Sequence, residues 1–278
     1  MTKYPLLGST LNGMTPLDLY ERGFGVFGLF HRSPPCGEWM DAGEEALLRY
    51  IGPGVERGMR LSWHYPVLYP PTNGSHPAHP EWFSPDSERR RAERQRFDLD
   101  IAAASRAGAD HVVSHFTGYP SEQPPEEIDA GLVTETLEWM ADVQQRHGVA
   151  ICLECFGDPY WLAVRAARYG LYLCLDTGHL ARSSAERGSR YLDDASTMAP
   201  LARVIHLWNT RGIFGEYHVP YHPDQRPADG WAPILALLDR VLRYRPNTPI
   251  VAEPSFPLHG MERFWQGMEW LGQRLAKR

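Results

Sequence analysis

The stretch GLYLCLDTGH, residues 170–179, contains in a few residues the pattern that decides the fold. Gly170 follows a predicted helix, and glycine readily takes the left-handed backbone conformation that ends a helix. The apolar run Leu171–Leu175 comes next, and its composition predicts a strand that is covered on both faces. Polar residues then begin at Asp176. The stretch therefore predicts a helix-to-strand joint with a polar group at the carboxyl end of the strand.

The same pattern recurs along the whole chain. Short runs rich in Val, Ile, Leu or Phe alternate with amphipathic helical stretches, and Gly23, Gly58, Gly108 and Gly148 also stand between a helical stretch and a run. Such alternation implies a parallel sheet, and eight runs favour a closed barrel over an open sheet. The runs are Pro5–Leu11, Phe24–Phe30, Met59–Trp63, His111–Phe116, Val149–Cys155, Leu171–Leu175, Val204–Trp208 and Pro249–Glu253. We therefore expect a single α/β domain over residues 1–278, a (β/α)8 TIM barrel with an eight-stranded parallel core.

Composition and charge narrow the function classes. The chain has 278 residues, a net charge of −6 and 43% hydrophobic residues. A nucleic-acid-binding protein usually has a basic surplus, so the acidic net charge disfavours nucleic acid as a partner. No run approaches the roughly 18 apolar residues of a membrane helix, and no secretory signal is visible. We expect a cytoplasmic protein that acts on a small molecule away from membranes, and we leave open whether it forms a homo-oligomer.

The cysteines include one pair with CxxC spacing, Cys152 and Cys155. No second pair completes a zinc-thiolate site, and both residues fall within a predicted strand, where side chains alternate between the two faces. We therefore expect reduced cysteines in the core rather than a thiolate metal site or a redox pair.

Polar residues recur at the ends of six successive predicted strands. Each of them stands two positions after a small or medium residue, and side chains at i and i+2 lie on the same face of a strand. The inner member of each pair is predicted to fill the barrel, and the outer member to stand at the mouth where barrel enzymes have their active sites. The pairs are Ser62 with His64, Val113 with His115, Cys152 with Glu154, Cys174 with Asp176, Val204 with His206, and Val251 with Glu253.

These residue types point to metal chemistry. Several carboxylates buried side by side carry a large free-energy cost unless cations compensate their charge. A divalent metal is the simplest compensation. The mixture of nitrogen and oxygen ligands suits Zn²⁺, Mn²⁺ or Co²⁺, and the lack of thiolate ligands leaves Mg²⁺ as a further candidate metal.

The strand-end residues resemble the metal-binding motif of the xylose isomerase-like TIM barrels. The resemblance rests on Glu154, the Asp-Thr-Gly-His segment that starts at Asp176, His206 and Glu253, in strand order over nearly the whole chain. That superfamily includes sugar isomerases, sugar epimerases and the endonuclease IV group. The resemblance implies that Glu154, Asp176, His206 and Glu253 hold the metal.

The endonuclease IV group has further ligands, and this chain offers candidates for them. His64 and His115 resemble its two strand-end histidines, and His179 resembles a ligand of its third metal. Glu216 and His218 resemble the Asp-x-His pair that completes that site, but with Glu in place of Asp. This departure weakens the prediction of a third metal.

Substrate contacts are predicted around the same mouth. The isomerases of the superfamily often hold substrate with an arginine shortly after the histidine of the seventh strand, and Arg211 is the candidate. His179 is a second candidate. Trp208 and Phe116 are aromatic residues near the predicted mouth, and aromatic faces stack on sugar rings and apolar ligand parts. We expect a substrate with a ring or an apolar portion.

The first functional hypothesis is a metal-dependent isomerase or epimerase of a sugar, a polyol or a related hydroxy-ketone. Glu154 and Glu253 would move the proton between two carbons or across the faces of one carbon. The alternative is a phosphoester hydrolase with two or three metals, either endonuclease IV-like or acting on a small phosphodiester. The acidic balance disfavours DNA as its substrate. A third hypothesis, a barrel that binds a ligand without catalysis, is disfavoured because the ligand set is intact.

Overall fold

Eight parallel strands close into a barrel in chain order, with the last strand bonded to the first. The computed structural model describes residues 2–11, 13–30, 42–69, 80–117, 127–155, 157–209, 231–253 and 260–277. The strands are β1 Tyr4–Thr10, β2 Phe24–Phe30, β3 Arg60–His64, β4 His111–Thr117, β5 Ala150–Cys155, β6 Tyr172–Asp176, β7 Ala202–Leu207 and β8 Ile250–Ala252. Each predicted run overlaps one strand, so the predicted barrel is confirmed.

Helices follow the strands and share a hydrophobic core with the outer faces of the barrel. They are α1 Pro16–Glu21, α2 Glu44–Glu56, α3 Ser87–Arg106, α4 Ala130–His147, α5 Pro159–Arg168, α6 Thr177–Arg187, α7 Tyr191–Met198, α8 Trp231–Tyr244 and α9 Met261–Ala276. A short 3₁₀ turn, Ala199–Leu201, leads into β7. Over the described ranges, no helix has the length and apolarity that a membrane crossing requires.

The predicted helix-to-strand joints are present. Gly148 ends α4 with a φ of +67°, and its N–H donates to the carbonyl oxygen of Gln144 at 2.9 Å. Gly170, which precedes β6, has a φ of +68°. A residue with a Cβ atom is strained in this left-handed region, so glycine lets each helix turn directly into the next strand.

A small apolar cluster fills the inside of the barrel. One residue from each of six strands contributes, and the cluster is separate from the larger core beneath the helices. The members are Val26, Val113, Cys152, Cys174, Val204 and Val251, all 0–1% exposed. Five of them are predicted interior residues. Ser62, the sixth predicted one, is also buried, and its hydroxyl lies 2.8 Å from Nε2 of His111.

Two of the cysteines are therefore core residues. Cys152 and Cys174 are free thiols within the interior cluster, and burial raises the pKa of both thiols. A neutral buried thiol behaves as a small apolar side chain. Cys36 and the side chain of Cys155 lie outside the described part of the structure.

Candidate active site

Strand register brings the polar strand-end residues to one level. His115 on β4 is directly paired with Glu154 on β5, and Asp176 on β6 with His206 on β7. Glu253 follows β8, and its N–H donates to the carbonyl oxygen of Leu207 at 3.1 Å. Because parallel strands of similar length end at the same edge, their last side chains meet at the carboxyl mouth of the barrel.

Glu154 lies at the centre of four histidines. Its Oε2 atom is 3.3 Å from Nε2 of His64, 3.5 Å from Nε2 of His115 and 3.5 Å from Nδ1 of His206. Its Oε1 atom is 3.5 Å from Nε2 of His179. The side chain of Glu154 is only 2% exposed. A carboxylate buried this deeply needs the positive charge or the donors that surround it.

Glu253 and Asp176 complete the set on the side of His206. Oε1 of Glu253 lies 3.1 Å from Nδ1 of His206. Three overlapping triplets each bring their ligand atoms within 4.8 Å of one another. They are His64, Glu154 and His206; His115, Glu154 and His179; and Asp176, His206 and Glu253. These seven residues are called the mouth cluster below.

The charges of the mouth cluster shift one another's pKa values. Burial alone would raise the pKa of Glu154, but the adjacent His115 and His206 hold it well below its ordinary range. Burial disfavours protonation of His206, yet the carboxylates of Glu253 and Glu154 raise its pKa to about 9. Burial and the same two carboxylates raise the pKa of Asp176. The histidines thus favour the ionised form of Glu154, whereas the crowding of negative charge around Asp176 favours its neutral form unless a cation is present.

Two buried atoms show that the mouth cluster is suited to a divalent cation. Oε2 of Glu154 and Nδ1 of His206 are buried and make no hydrogen bond with any described residue. Buried polar atoms rarely stay unsatisfied without an ion, water or catalytic role. Imidazole nitrogens and carboxylate oxygens, with no thiolate among them, suit Zn²⁺, Mn²⁺ or Co²⁺. The residues present therefore fit the predicted metal.

Asp176 is oriented by one neighbour on α6 and by one that directly follows β7. Its Oδ1 atom accepts a hydrogen bond from the N–H of His179 at 2.7 Å, which caps α6. Its Oδ2 atom accepts from Nε1 of Trp208 at 2.6 Å. The hydroxyl of Thr177 donates to the carbonyl oxygen of Trp208 at 2.6 Å and accepts from its N–H at 3.0 Å. Both carboxylate oxygens of Asp176 therefore have a fixed direction.

Gly178 is required because the indole of Trp208 lies against it. A Cβ atom at position 178 would stand 2.5 Å from three atoms of that ring. Each residue of the Asp-Thr-Gly-His segment thus has a structural role. The Asp176 carboxylate caps α6, and the Thr177 hydroxyl bonds the backbone of Trp208. Position 178 must be small beneath the indole, and His179 faces Glu154.

The structure places two of the predicted substrate contacts within packed layers. Trp208 is 1% exposed and its indole holds Asp176. Phe116 is also 1% exposed, with its ring 5.2 Å from that of Phe83 and 6.2 Å from that of Trp161. The contact of Trp208, Phe116 and His179 with substrate stays a prediction. Arg211, Glu216 and His218 lie outside the described residues.

A buried layer behind His64 was not anticipated from the sequence. Asp100 on α3 is fully buried, and it accepts hydrogen bonds from Nε1 of Trp63 at 2.7 Å and from the N–H of Val67 at 2.8 Å. The N–H groups of Leu68 and Tyr69 also donate to this carboxylate. Asp100 thereby holds the residue before His64, Trp63, and the loop after His64 in fixed positions. The only sequence signal is an acid on the apolar face of α3, beside Ile101.

The resemblance seen in the sequence is supported by comparison with known proteins. A sequence model of the family described as Xylose isomerase-like TIM barrel matches residues 18–273. A search of curated protein sequences gives no significant match.

Solved structures with the same fold are also found. A 3-keto-D-glucoside 4-epimerase from E. coli is 12% identical, with a TM-score of 0.64, over 96% of this chain and 99% of the other. An AP endonuclease of family 2 from Brucella melitensis is 13% identical, with a TM-score of 0.64, over 97% and 98%. The IOLI protein, whose crystal structure has a bound zinc atom, is 14% identical, with a TM-score of 0.63, over 98% and 95%. At these identities the likeness shows the fold alone. The family match, which spans nearly the whole chain, identifies the protein as a member of the xylose isomerase-like TIM barrel family.

Proposed function

We propose that the protein is a divalent-metal-dependent isomerase or epimerase of a sugar or a related hydroxy-ketone. The observation that carries the proposal is that two carboxylates, those of Glu154 and Glu253, approach the same imidazole nitrogen. Oε2 of Glu154 lies 3.5 Å, and Oε1 of Glu253 3.1 Å, from Nδ1 of His206. Two carboxylates this close to one site can share the work of removing and returning a proton.

The mouth cluster would hold the cation through Glu154, Asp176, His206 and Glu253. When bound, the cation supplies Lewis acidity that makes the hydrogen next to a substrate carbonyl more acidic. The bound zinc atom of the IOLI structure supports a metal in this fold, and the epimerase from E. coli supports sugar chemistry.

The protein's own carboxylates would carry out the proton transfer. The low pKa of Glu154 keeps it at neutral pH in the ionised form that a general base requires. Glu253 would act at the other carbon or at the other face of the same carbon. A proton returned to the opposite face gives the epimer, and a proton returned to the neighbouring carbon gives the isomer. Asp176, held by Trp208 and by the N–H of His179, would keep its direction throughout.

Burial of the mouth cluster favours this chemistry. Glu154, His64 and His206 are 1–5% exposed. Little bulk water therefore surrounds the reacting groups. In such surroundings, fixed charges act more strongly on the reacting group than they would in bulk water.

The test is deuterium exchange at carbon. The zinc-, manganese- or cobalt-loaded protein is incubated with a panel of ketoses in D₂O, and exchange next to the carbonyl is followed by NMR. We expect exchange and product formation with the parent, and loss of at least about a hundredfold in Glu154→Gln and in Glu253→Gln, as for removal of a general base. Glu186→Gln, which changes a surface carboxylate paired with Arg182, serves as the matched control. Near-normal exchange in either mouth variant would contradict the assigned roles.

A phosphoester hydrolase with more than one metal is the second candidate. It is favoured by one observation: His115, Glu154 and His179 form a triplet beyond the one around His206 and Glu253. The AP endonuclease of family 2 shares the fold.

Metal stoichiometry separates the two candidates. A mononuclear isomerase should keep its metal content when Glu216→Ala and His218→Ala are combined, because neither residue belongs to the four core ligands. A multinuclear hydrolase should lose at least one metal per chain and most hydrolysis of bis(p-nitrophenyl) phosphate. Loss of metal in the double variant, with phosphodiesterase activity in the parent, would replace the isomerase proposal with the hydrolase.

A further inference from the structure

A second cavity lies at the opposite end of the barrel from the mouth cluster. Its volume is about 470 Å³, and its lining includes Arg60, Arg203, Arg245 and Thr248. Arg60 is the first residue of β3, Arg203 is the second residue of β7, and Thr248 stands just before β8. These positions place the cavity at the amino-terminal ends of the strands. It is called the basal cavity below.

Positive charge exceeds negative charge around the basal cavity. Nη2 of Arg60 lies 2.8 Å from Oδ2 of Asp110, and Nη1 donates to the carbonyl oxygen of Asn247 at 2.7 Å. Nη2 of Arg203 reaches the same carboxylate only at 3.6 Å. Arg245 donates to the carbonyl oxygen of Pro200 at 2.9 Å and forms no ion pair with a described residue. Asp110 therefore pairs with Arg60 and Arg203, and also with Nδ1 of His111 at 2.9 Å, whereas Arg245 pairs with no described carboxylate. The three guanidinium groups and this carboxylate together leave two positive charges, in a chain whose net charge is −6.

Two of these guanidinium groups contact the same aromatic ring. Those of Arg203 and Arg245 lie 5.5 Å and 5.9 Å from the centre of the same ring, that of Tyr172. Nε of Arg203 is buried and has no hydrogen-bond partner among the described residues. An ion pair that closes the base of the barrel explains Arg60 and Asp110. It does not explain why Arg203 and Arg245 add two further cations to the lining of the same cavity.

We propose that the basal cavity binds the phosphate group of a small molecule. Guanidinium groups present paired donors that match phosphate oxygens, and charge-assisted bonds of this kind are the stronger hydrogen bonds of proteins. A phosphate dianion would neutralise the two surplus charges. The cavity volume lies within the range of roughly 300–1,000 Å³ that is usual for small-molecule sites. This site is independent of the sugar chemistry proposed for the mouth cluster.

The test is isothermal titration calorimetry of the protein with inorganic phosphate and with pyrophosphate, at constant low ionic strength. The protein is treated with chelator first, so that a cation at the mouth cluster contributes no phosphate binding. We expect saturable binding to the parent, and a Kd at least about tenfold higher in the double variant Arg203→Met, Arg245→Met, because charged hydrogen bonds are lost.

Two further variants make the result specific. Arg245→Met alone removes a partly exposed guanidinium that has no described ion pair, and it should weaken binding even if the double variant folds poorly. Arg168→Met is the matched control, since that guanidinium also lies over a tyrosine ring, 5.7 Å from the centre of Tyr169. It should leave the Kd unchanged. Absence of saturable binding in the parent, or undiminished binding in both cavity variants, would overturn the proposal.

Discussion

Asp100→Asn should remove a pH dependence of stability that originates behind His64. The carboxylate of Asp100 is fully buried and accepts hydrogen bonds from Trp63 and from the N–H of Val67. Asparagine has nearly the same shape, but it does not titrate. Its amide nitrogen cannot accept the bonds that one carboxylate oxygen accepts now. The substitution therefore has a constant cost, from unpaired donors, and a second effect that changes with pH.

The size of the pH-dependent effect follows from the pKa of Asp100. Burial raises this pKa from 3.8 to about 6, although the hydrogen bonds from Val67 and Trp63 oppose the shift. The folded protein thus binds the proton more tightly than the unfolded chain, in which the carboxyl titrates near its ordinary value. The stability from this group is complete below about pH 4 and is lost as the pH rises through about 6. Roughly two pKa units correspond to about 3 kcal/mol.

Urea unfolding measures this effect as a difference between two proteins. The free energy of unfolding of the parent minus that of Asp100→Asn should fall by about 2–3 kcal/mol between about pH 4 and pH 7. The constant cost of unpaired donors, about 1–3 kcal/mol for each, shifts all points equally. Both proteins are treated with chelator so that metal release at low pH does not contribute. Asp98→Asn, on the same helix with a 37% exposed side chain, is the control for loss of a charge. A difference that is constant with pH, or that grows as the pH rises, would refute the reasoning.

Three further outcomes follow from the mouth of the barrel. In urea unfolding, Gly178→Ala should lower the free energy of unfolding by about 1–3 kcal/mol, because its Cβ would overlap the indole of Trp208. The control is Gly52→Ala, which has open space around it and should be neutral or stabilising in the same assay. Trp208→Phe should weaken zinc affinity about 10- to 100-fold, because Asp176 loses the hydrogen-bond donor that orients it. The affinity is measured by competition with a chromophoric chelator, and an unchanged affinity would show that the indole contributes packing alone. Removal of metal by chelator should lower the melting temperature of the parent, and a melting temperature that does not respond to chelator or to added zinc would argue against a metal at the mouth cluster.

The barrel and the residues of the mouth cluster could be anticipated from the sequence because both rest on local periodicity. A run such as Leu171–Leu175 has the composition of a buried strand, and Gly170 before it indicates the end of a helix. Both signals are local and do not depend on residues far away in the chain. Parity along each strand then relates Cys174 to Asp176. The interior cluster confirms this relation, since five of its six members come from the predicted inward positions.

The layers around the mouth depended on tertiary structure because their partners are distant in the chain. The Asp100 carboxylate meets Trp63 across 37 residues, and Nε1 of Trp208 meets Asp176 across 32. No local sequence pattern predicts either contact. The residue type of Trp208 predicts a substrate contact, and only the tertiary structure shows that its indole N–H donates to Asp176. The basal cavity has the same origin: Arg60 and Arg203 are unremarkable strand-start residues in the sequence, and closure of the barrel brings their charges together around Asp110.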